Sequence, residues 1–263
     1  MKKTVYFLLC FLQILSLTCF SAMAEKGELH WYCVHVKNHV QPTVGRDIAF
    51  VEELDGYYID HRHASAEDAD KVVYLTFDAG YENGNVARVL DTLKEESVTA
   101  AFFVLGHLIE TETALVKRMT EEGHIVANHS VHHKNMAGFS DADFLKELTD
   151  LEQMYAERVG GKMPRYYRPA QGCFSRQNLE CAQKNGYKTI FWSFAYADWD
   201  NEKQPDPQKA KQIILDNVHN GAVILLHPTS ATNAKILGEV IREMKAQGYR
   251  FGSLEELTCA KAE

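Results

Sequence analysis

Two periods of apolar and polar positions alternate along this chain. From Val72 onward, short unbroken apolar runs fall at 72–78, 99–105, 124–128, 165–168, 189–192, 222–226 and 249–252. Unbroken runs of this length read as strands buried on both faces. Between them lie longer stretches whose apolar residues recur every three or four positions. Val86, Val89, Leu90 and Leu93 are one such set, and that spacing predicts an amphipathic helix. The predicted helices cover about 85–96, 113–122, 140–159, 175–186, 206–218 and 233–247, with a last short one after Ser253. Their ends carry the expected punctuation. Gly123, Gly186 and Gly248 follow helices, as left-handed C-terminal residues do. Ser140 precedes one with Asp143 three residues on, and Pro207 opens another. Alternating strand and helix predicts βα units around a parallel sheet.

Residues 25–71 break this pattern. They hold few apolar runs, the punctuators Pro42, Gly45 and Gly56, and an acidic tract at 64–70. They read as a loop-rich N-terminal extension packed on a main domain of 72–263. The first 24 residues differ again. Met1-Lys2-Lys3, a mostly apolar stretch to Phe20 and Ala22-Met23-Ala24 read as a secretory signal peptide cleaved after Ala24. This predicts an exported, extracytoplasmic protein. A retained membrane anchor is the alternative, although the apolar stretch is short of the roughly 20 residues a span needs.

Length and composition narrow the picture. The 263 residues, 46% hydrophobic and 24% charged, suit one globular α/β domain with a small extension. The net charge of −8, without any Lys/Arg run, argues against a nucleic-acid binder, which needs a basic face. Cys10 and Cys19 fall in the signal segment. Cys33, Cys173, Cys181 and Cys259 remain, and their spacing permits three full pairings or none.

The strand ends carry the candidate chemistry. Successive runs lead to Asp78, to His129 with His133 beyond it, to Arg168, to Asp198 and to His227. In α/β barrels such ends meet in one pocket. A carboxylate that closes a buried strand, as Asp78 does, is costly unless it is used. His129 and His133 are four apart, so on a helical turn they would lie side by side and could grip a divalent metal. His132 is the competing ligand. Two carboxylates, three histidines and an arginine suit metal-assisted hydrolysis.

The order Thr76-Phe77-Asp78-Ala79-Gly80, His129-Ser130-Val131-His132-His133, Arg168-Pro169, Asp198-Trp199 and Leu225-Leu226-His227 resembles the NodB-homology polysaccharide deacetylases, a carbohydrate esterase family. The resemblance implies a distorted, incomplete (β/α)7 barrel and metal-assisted removal of acetyl groups from sugars. It makes Asp78 the general base and His129 and His133 the metal ligands. It makes Arg168 the residue orienting the base and Asp198 the partner of the acid, His227. Leu225 then lines the acetyl pocket, Gln171 donates its backbone N–H to the oxyanion, and Tyr81 and Trp199 contact substrate. The family's usual third ligand is an aspartate where this chain has Ala79, which implies a weakly held zinc-like ion or a substitute such as Glu82. That departure, with Gly80-Tyr81-Glu82-Asn83-Gly84 and Asn38-His39-Val40-Gln41-Pro42, resembles the sporulation branch that de-N-acetylates muramic acid on the way to muramic δ-lactam in spore cortex. The implied partners are peptidoglycan glycan strands, with neither nucleic acid nor a stable protein partner. The alternatives are deacetylation of another glycan, such as N-acetylglucosamine polymers, or a glycan-binding protein with a lapsed site.

Overall fold

The structure is a computed structural model that describes residues 27–36, 38–64 and 70–259. The signal segment and most of the acidic tract lie outside the described residues. The chain opens with two short strands, β1 (Leu29–His30) and β2 (Gly56–Tyr57). The main run then follows: β3 (Lys71–Ala79), α1 (Val86–Glu95), β4 (Ala101–Val104), α2 (Gly106–Thr111), α3 (Thr113–Glu121), β5 (Ile125–Asn128) and α4 (Asp141–Arg158). After it come β6 (Tyr166–Tyr167), β7 (Cys173–Phe174), α5 (Arg176–Lys184), β8 (Lys188–Ile190), α6 (Pro207–Asn217), β9 (Ala222–Leu226), α7 (Ala231–Ala246), β10 (Tyr249–Phe251) and α8 (Leu254–Thr258).

All seven apolar runs become strands of one parallel sheet, in the order β10-β3-β4-β5-β6-β8-β2, with β9 paired to β3. The sheet curls into an incomplete barrel. Isolated bridges, Ile59 with Ala222 and Phe194 with Ile224, join β9 to the far end. The eighth strand, β2, comes from the loop-rich segment, so that segment is built into the barrel as well as packed on it. Two residues are too few for a strand period to register. Helix α2 was also absent from the apolar pattern. It is six residues long and is cut from α3 at Glu112, whose φ and ψ leave the helical region.

Strand alternation divides β3 between two interiors. Val73, Leu75, Phe77 and Ala79 pack outward into the layer shared with the helices. Val72 and Tyr74 face the lumen with Tyr57, Ala101, Phe103, Ala127, Ile190 and Val223. Thr76 and Asp78 continue that inner row toward the mouth. The extension is anchored at Trp31, which is buried. Its ring stacks on Phe191 with centroids 4.2 Å apart, and its Nε1–H donates to the Trp192 carbonyl at 2.9 Å. Below the barrel the Gln41 amide reaches the carbonyls of Asp60, His63 and Asn220.

Candidate active site

Asp78 ends the inner row of β3 at the mouth. Its Oδ1 accepts from Arg168 Nη1 at 2.7 Å, and its Oδ2 lies 3.4 Å from His129 Nε2. Burial pushes the Asp78 carboxyl up. The charge of His129 when that ring is protonated, the charges of Arg168 and His227 and the Arg168 hydrogen bond outweigh that effect and hold it below its usual value. Arg168, carried by the chain after β6, is fully buried. The ring of Phe103 lies 4.0 Å from its guanidinium. Nε donates to the Ile190 carbonyl at 2.9 Å, and Nη2 to Thr76 Oγ1 at 2.9 Å. A guanidinium with so many fixed partners has one orientation, and Asp78 inherits it.

His129 and His133 do come together, with ring centroids 5.0 Å apart, but no helix joins them. They ride a loop after β5. Asn128 Oδ1 accepts from Ser130 N at 2.9 Å, and Ser130 Oγ accepts from His133 N at 3.0 Å. Ser130 and His133 adopt φ of 71° and 55°, left-handed values that cost a non-glycine residue roughly 1–2 kcal/mol each. Such strain concentrates at functional sites. The loop sits against Gly106, where an added Cβ would meet Val131 Cγ1 at 2.9 Å. His129 Nδ1–H donates to the Arg168 carbonyl at 2.9 Å. That bond sets the tautomer and leaves Nε2 as a lone pair toward Asp78. Burial lowers both imidazoles, His129 to about 4, so both stay neutral at pH 7. Two neutral imidazoles beside an ionised carboxylate fit a divalent cation.

The alternative ligands do not fit. His132 points away and donates Nδ1–H to Glu147 at 2.9 Å. Glu82 caps α1 instead: its carboxylate accepts from Gly84 N, and from Ala87 N at 3.1 Å. Ala79 lies wholly within the outer apolar layer.

His227 follows β9. Its Nδ1–H donates to Asp198 Oδ1 at 2.7 Å, and its backbone N–H to Oδ2 at 2.8 Å. Asp198 is fully buried. Burial pushes His227 down, but the hydrogen bond and charge of Asp198, with the charge of Asp78, carry it above the usual imidazole value. The pattern along the chain did not reveal Asn233, whose Nδ2 donates to Asp198 Oδ2 at 2.5 Å and to the His227 carbonyl at 3.1 Å. It sits on the first turn of α7, where Ser230 Oγ caps its N–H at 3.1 Å. Thr76 and Phe103 were equally hidden, because both read as ordinary strand residues.

The remaining candidates line the mouth. Leu225 is buried in β9 opposite Thr76. Gln171 is exposed and turns the chain with φ of 59°. Tyr81 and Trp199 are 44% and 64% exposed, on the two loops that follow Asp78 and Asp198. The Tyr81 hydroxyl accepts from Asn201 Nδ2 and so ties these loops together. The site therefore holds one carboxylate biased toward its ionised form, one imidazole biased toward its protonated form and a neutral imidazole pair fit for a metal.

The polysaccharide deacetylase family model matches residues 65–190. The peptidoglycan-N-acetylmuramic acid deacetylase PdaA of Bacillus subtilis is 36% identical over 89% of this chain and 87% of its own. Its solved structure, described as a family 4 carbohydrate esterase, gives a TM-score of 0.83 over 90% of this chain and 99% of that one. A family 4 carbohydrate esterase from Bacillus anthracis gives 0.72, with 33% identity, over 89% and 97%. BA3943 of the same organism, a family pseudoenzyme, gives 0.68 with 28% identity over 77% and 68%.

Proposed function

This chain belongs to the polysaccharide deacetylase family, hydrolases that act on amide bonds, and we propose that it removes the N-acetyl group of N-acetylmuramic acid in peptidoglycan. One observation carries the catalytic part of this reading. Arg168 holds the Asp78 carboxyl below its usual value and Asp198 carries the His227 imidazole above its own, in one pocket where each feels the other's charge. A lapsed site has no need of both.

Asp78 is the general base and takes a proton from the attacking water through the oxygen that Arg168 leaves free. General acid–base help of this kind contributes roughly 10²–10⁴-fold. His129 and His133 would hold a divalent ion, which when bound would supply a Lewis acid for the acetyl carbonyl. The Gln171 N–H is assigned to the developing oxyanion, and Leu225 to the wall that receives the acetyl methyl. His227 protonates the departing sugar nitrogen, because an amide anion does not leave. Tyr81 and Trp199, exposed at the rim, are placed to meet sugar rings. With Ala79 at the strand end, His129 and His133 would be the protein's own ligands to the ion, so chelators should strip it readily.

The likeness to PdaA over nine-tenths of the chain supports muramic acid as the sugar. The same reading places the protein outside the cytoplasm, exported by its N-terminal segment, on the glycan strands of the spore cortex. There the freed amine stands next to the lactyl carboxyl, and condensation of the two with loss of water, a step outside this hydrolysis, gives the δ-lactam. Mass spectrometry of peptide-free glycan strands before and after treatment tests the choice of sugar. Loss of acetyl from muramic acid residues is the expected result. Loss from N-acetylglucosamine alone would replace the muramic reading, and no loss from either would remove the enzymatic one.

A further inference from the structure

We propose that Glu28, His30 and Cys173 form a second divalent-metal site, of the zinc class, which clasps β1 to β7 outside the catalytic pocket. β1 and β7 pair antiparallel, and their register sets His30 directly opposite Cys173. Glu28 is two residues before His30, which in extended chain puts both side chains on one face. Cys173 Sγ lies 3.3 Å from His30 Nδ1, and Glu28 Oε1 lies 3.1 Å from His30 Nε2. One donor atom from each of the three residues lies within 4.8 Å of the other two.

The donor set selects the ion. A thiolate sulfur, an imidazole nitrogen and a carboxylate oxygen are what zinc binds, with water completing the tetrahedron. Magnesium and calcium prefer all-oxygen shells. Bonds of about 2.0–2.3 Å need the donors somewhat closer together than they are here. The side chains of Glu28 and His30 are 46% and 67% exposed and can swing inward, whereas Cys173 is buried and supplies the fixed point. His30 gives one nitrogen to the ion, so its two present contacts are the metal-free arrangement. The catalytic pocket shares none of these three residues. The clasp is still close to it along the chain: Trp31 N, next to His30, donates to the Gly172 carbonyl at 2.8 Å, beside Gln171. A bound ion would pin this edge of the mouth, and it would raise thermal stability by mass action.

Cobalt(II) reports on the thiolate directly, through its near-ultraviolet sulfur-to-metal charge-transfer band. The purified protein and its His129→Ala/His133→Ala variant are titrated side by side. Both should develop the band, and the variant should bind one equivalent. Added to the double variant, Cys173→Ser should abolish the band and the cobalt-induced rise in Tm. His30→Ala, on an exposed ring, should weaken the binding more than about tenfold, since even outer partners of a metal ligand act on that scale. Absence of the band in the double variant would overturn the proposal. So would its persistence in Cys173→Ser, or unchanged affinity in His30→Ala, which decides the matter if the serine variant misfolds.

Discussion

The acid and the base each work against their own burial, and each depends on one neighbour to do so. Asp78 is lowered by surrounding cationic groups, and His227 is raised by Asp198. Their titrations therefore move apart, which lets an ionised base and a protonated acid coexist over a broad range. The rate should fall at low pH as Asp78 and His129, the latter near 4, take up protons. It should fall at high pH as His227 loses its own, above the ordinary imidazole value of about 6.5. Asp198→Asn removes the charge that raises His227, so the upper limb should move to lower pH. A limb that stays put would assign it to another group. His227→Asn should cut kcat by roughly 10²-fold or more and leave KM nearly unchanged, since the imidazole acts in the transition state. A raised KM with intact kcat would place His227 in sugar binding.

At the scale of elements, the loop after β5 shows how a site escapes a local rule. The four-residue spacing of His129 and His133 suggested a helical turn. The pair instead meets through two left-handed residues and a ladder from Asn128 to Ser130 to His133. Helix α2 supports this loop, with Gly106 N donating to the Val131 carbonyl at 3.2 Å. Gly106→Ala would press a methyl into Val131, at a packing cost of about 1–3 kcal/mol. We expect the fold to survive, with metal affinity and turnover reduced together; circular dichroism and metal titration check this. Full activity with unchanged affinity would show that the loop yields without moving its histidines. The element ends were otherwise readable. Ser140 caps α4 by accepting from Asp143 N at 3.2 Å, and Asp206 caps α6 with Pro207 in its first turn.

Across the whole molecule, buried histidines make the fold sensitive to acid. His219 is buried near the barrel floor, with Nδ1–H donated to the Asn220 carbonyl at 3.0 Å and Nε2 without a partner among the described residues. Burial pushes it down to about 4, as it does His129. Between that value and 6.5 the unfolded chain holds protons that the folded one refuses, so stability falls as pH drops through this window. His227 acts in the opposite sense, since its contribution is present below 6.5 and is lost as pH rises through its raised value. Urea midpoints should therefore decline from pH 7 toward pH 4.5, and less steeply in His219→Gln. An equal slope in that variant would exclude His219 as a source. The sequence by itself determined seven of the eight strands of the sheet, most helix ends and the places of Asp78, His129, His133, Arg168, Asp198 and His227 at the ends of apolar runs. Those properties reside in apolar period, capping chemistry and position at a run's end, all of which are local. Only the tertiary structure decided that Asn233 holds the acid's partner, that Glu82 caps a helix and His132 pairs with Glu147, and that β2 completes the sheet. Each of these depends on contacts between segments far apart in the chain, and two-residue strands and single hydrogen bonds leave no period to read.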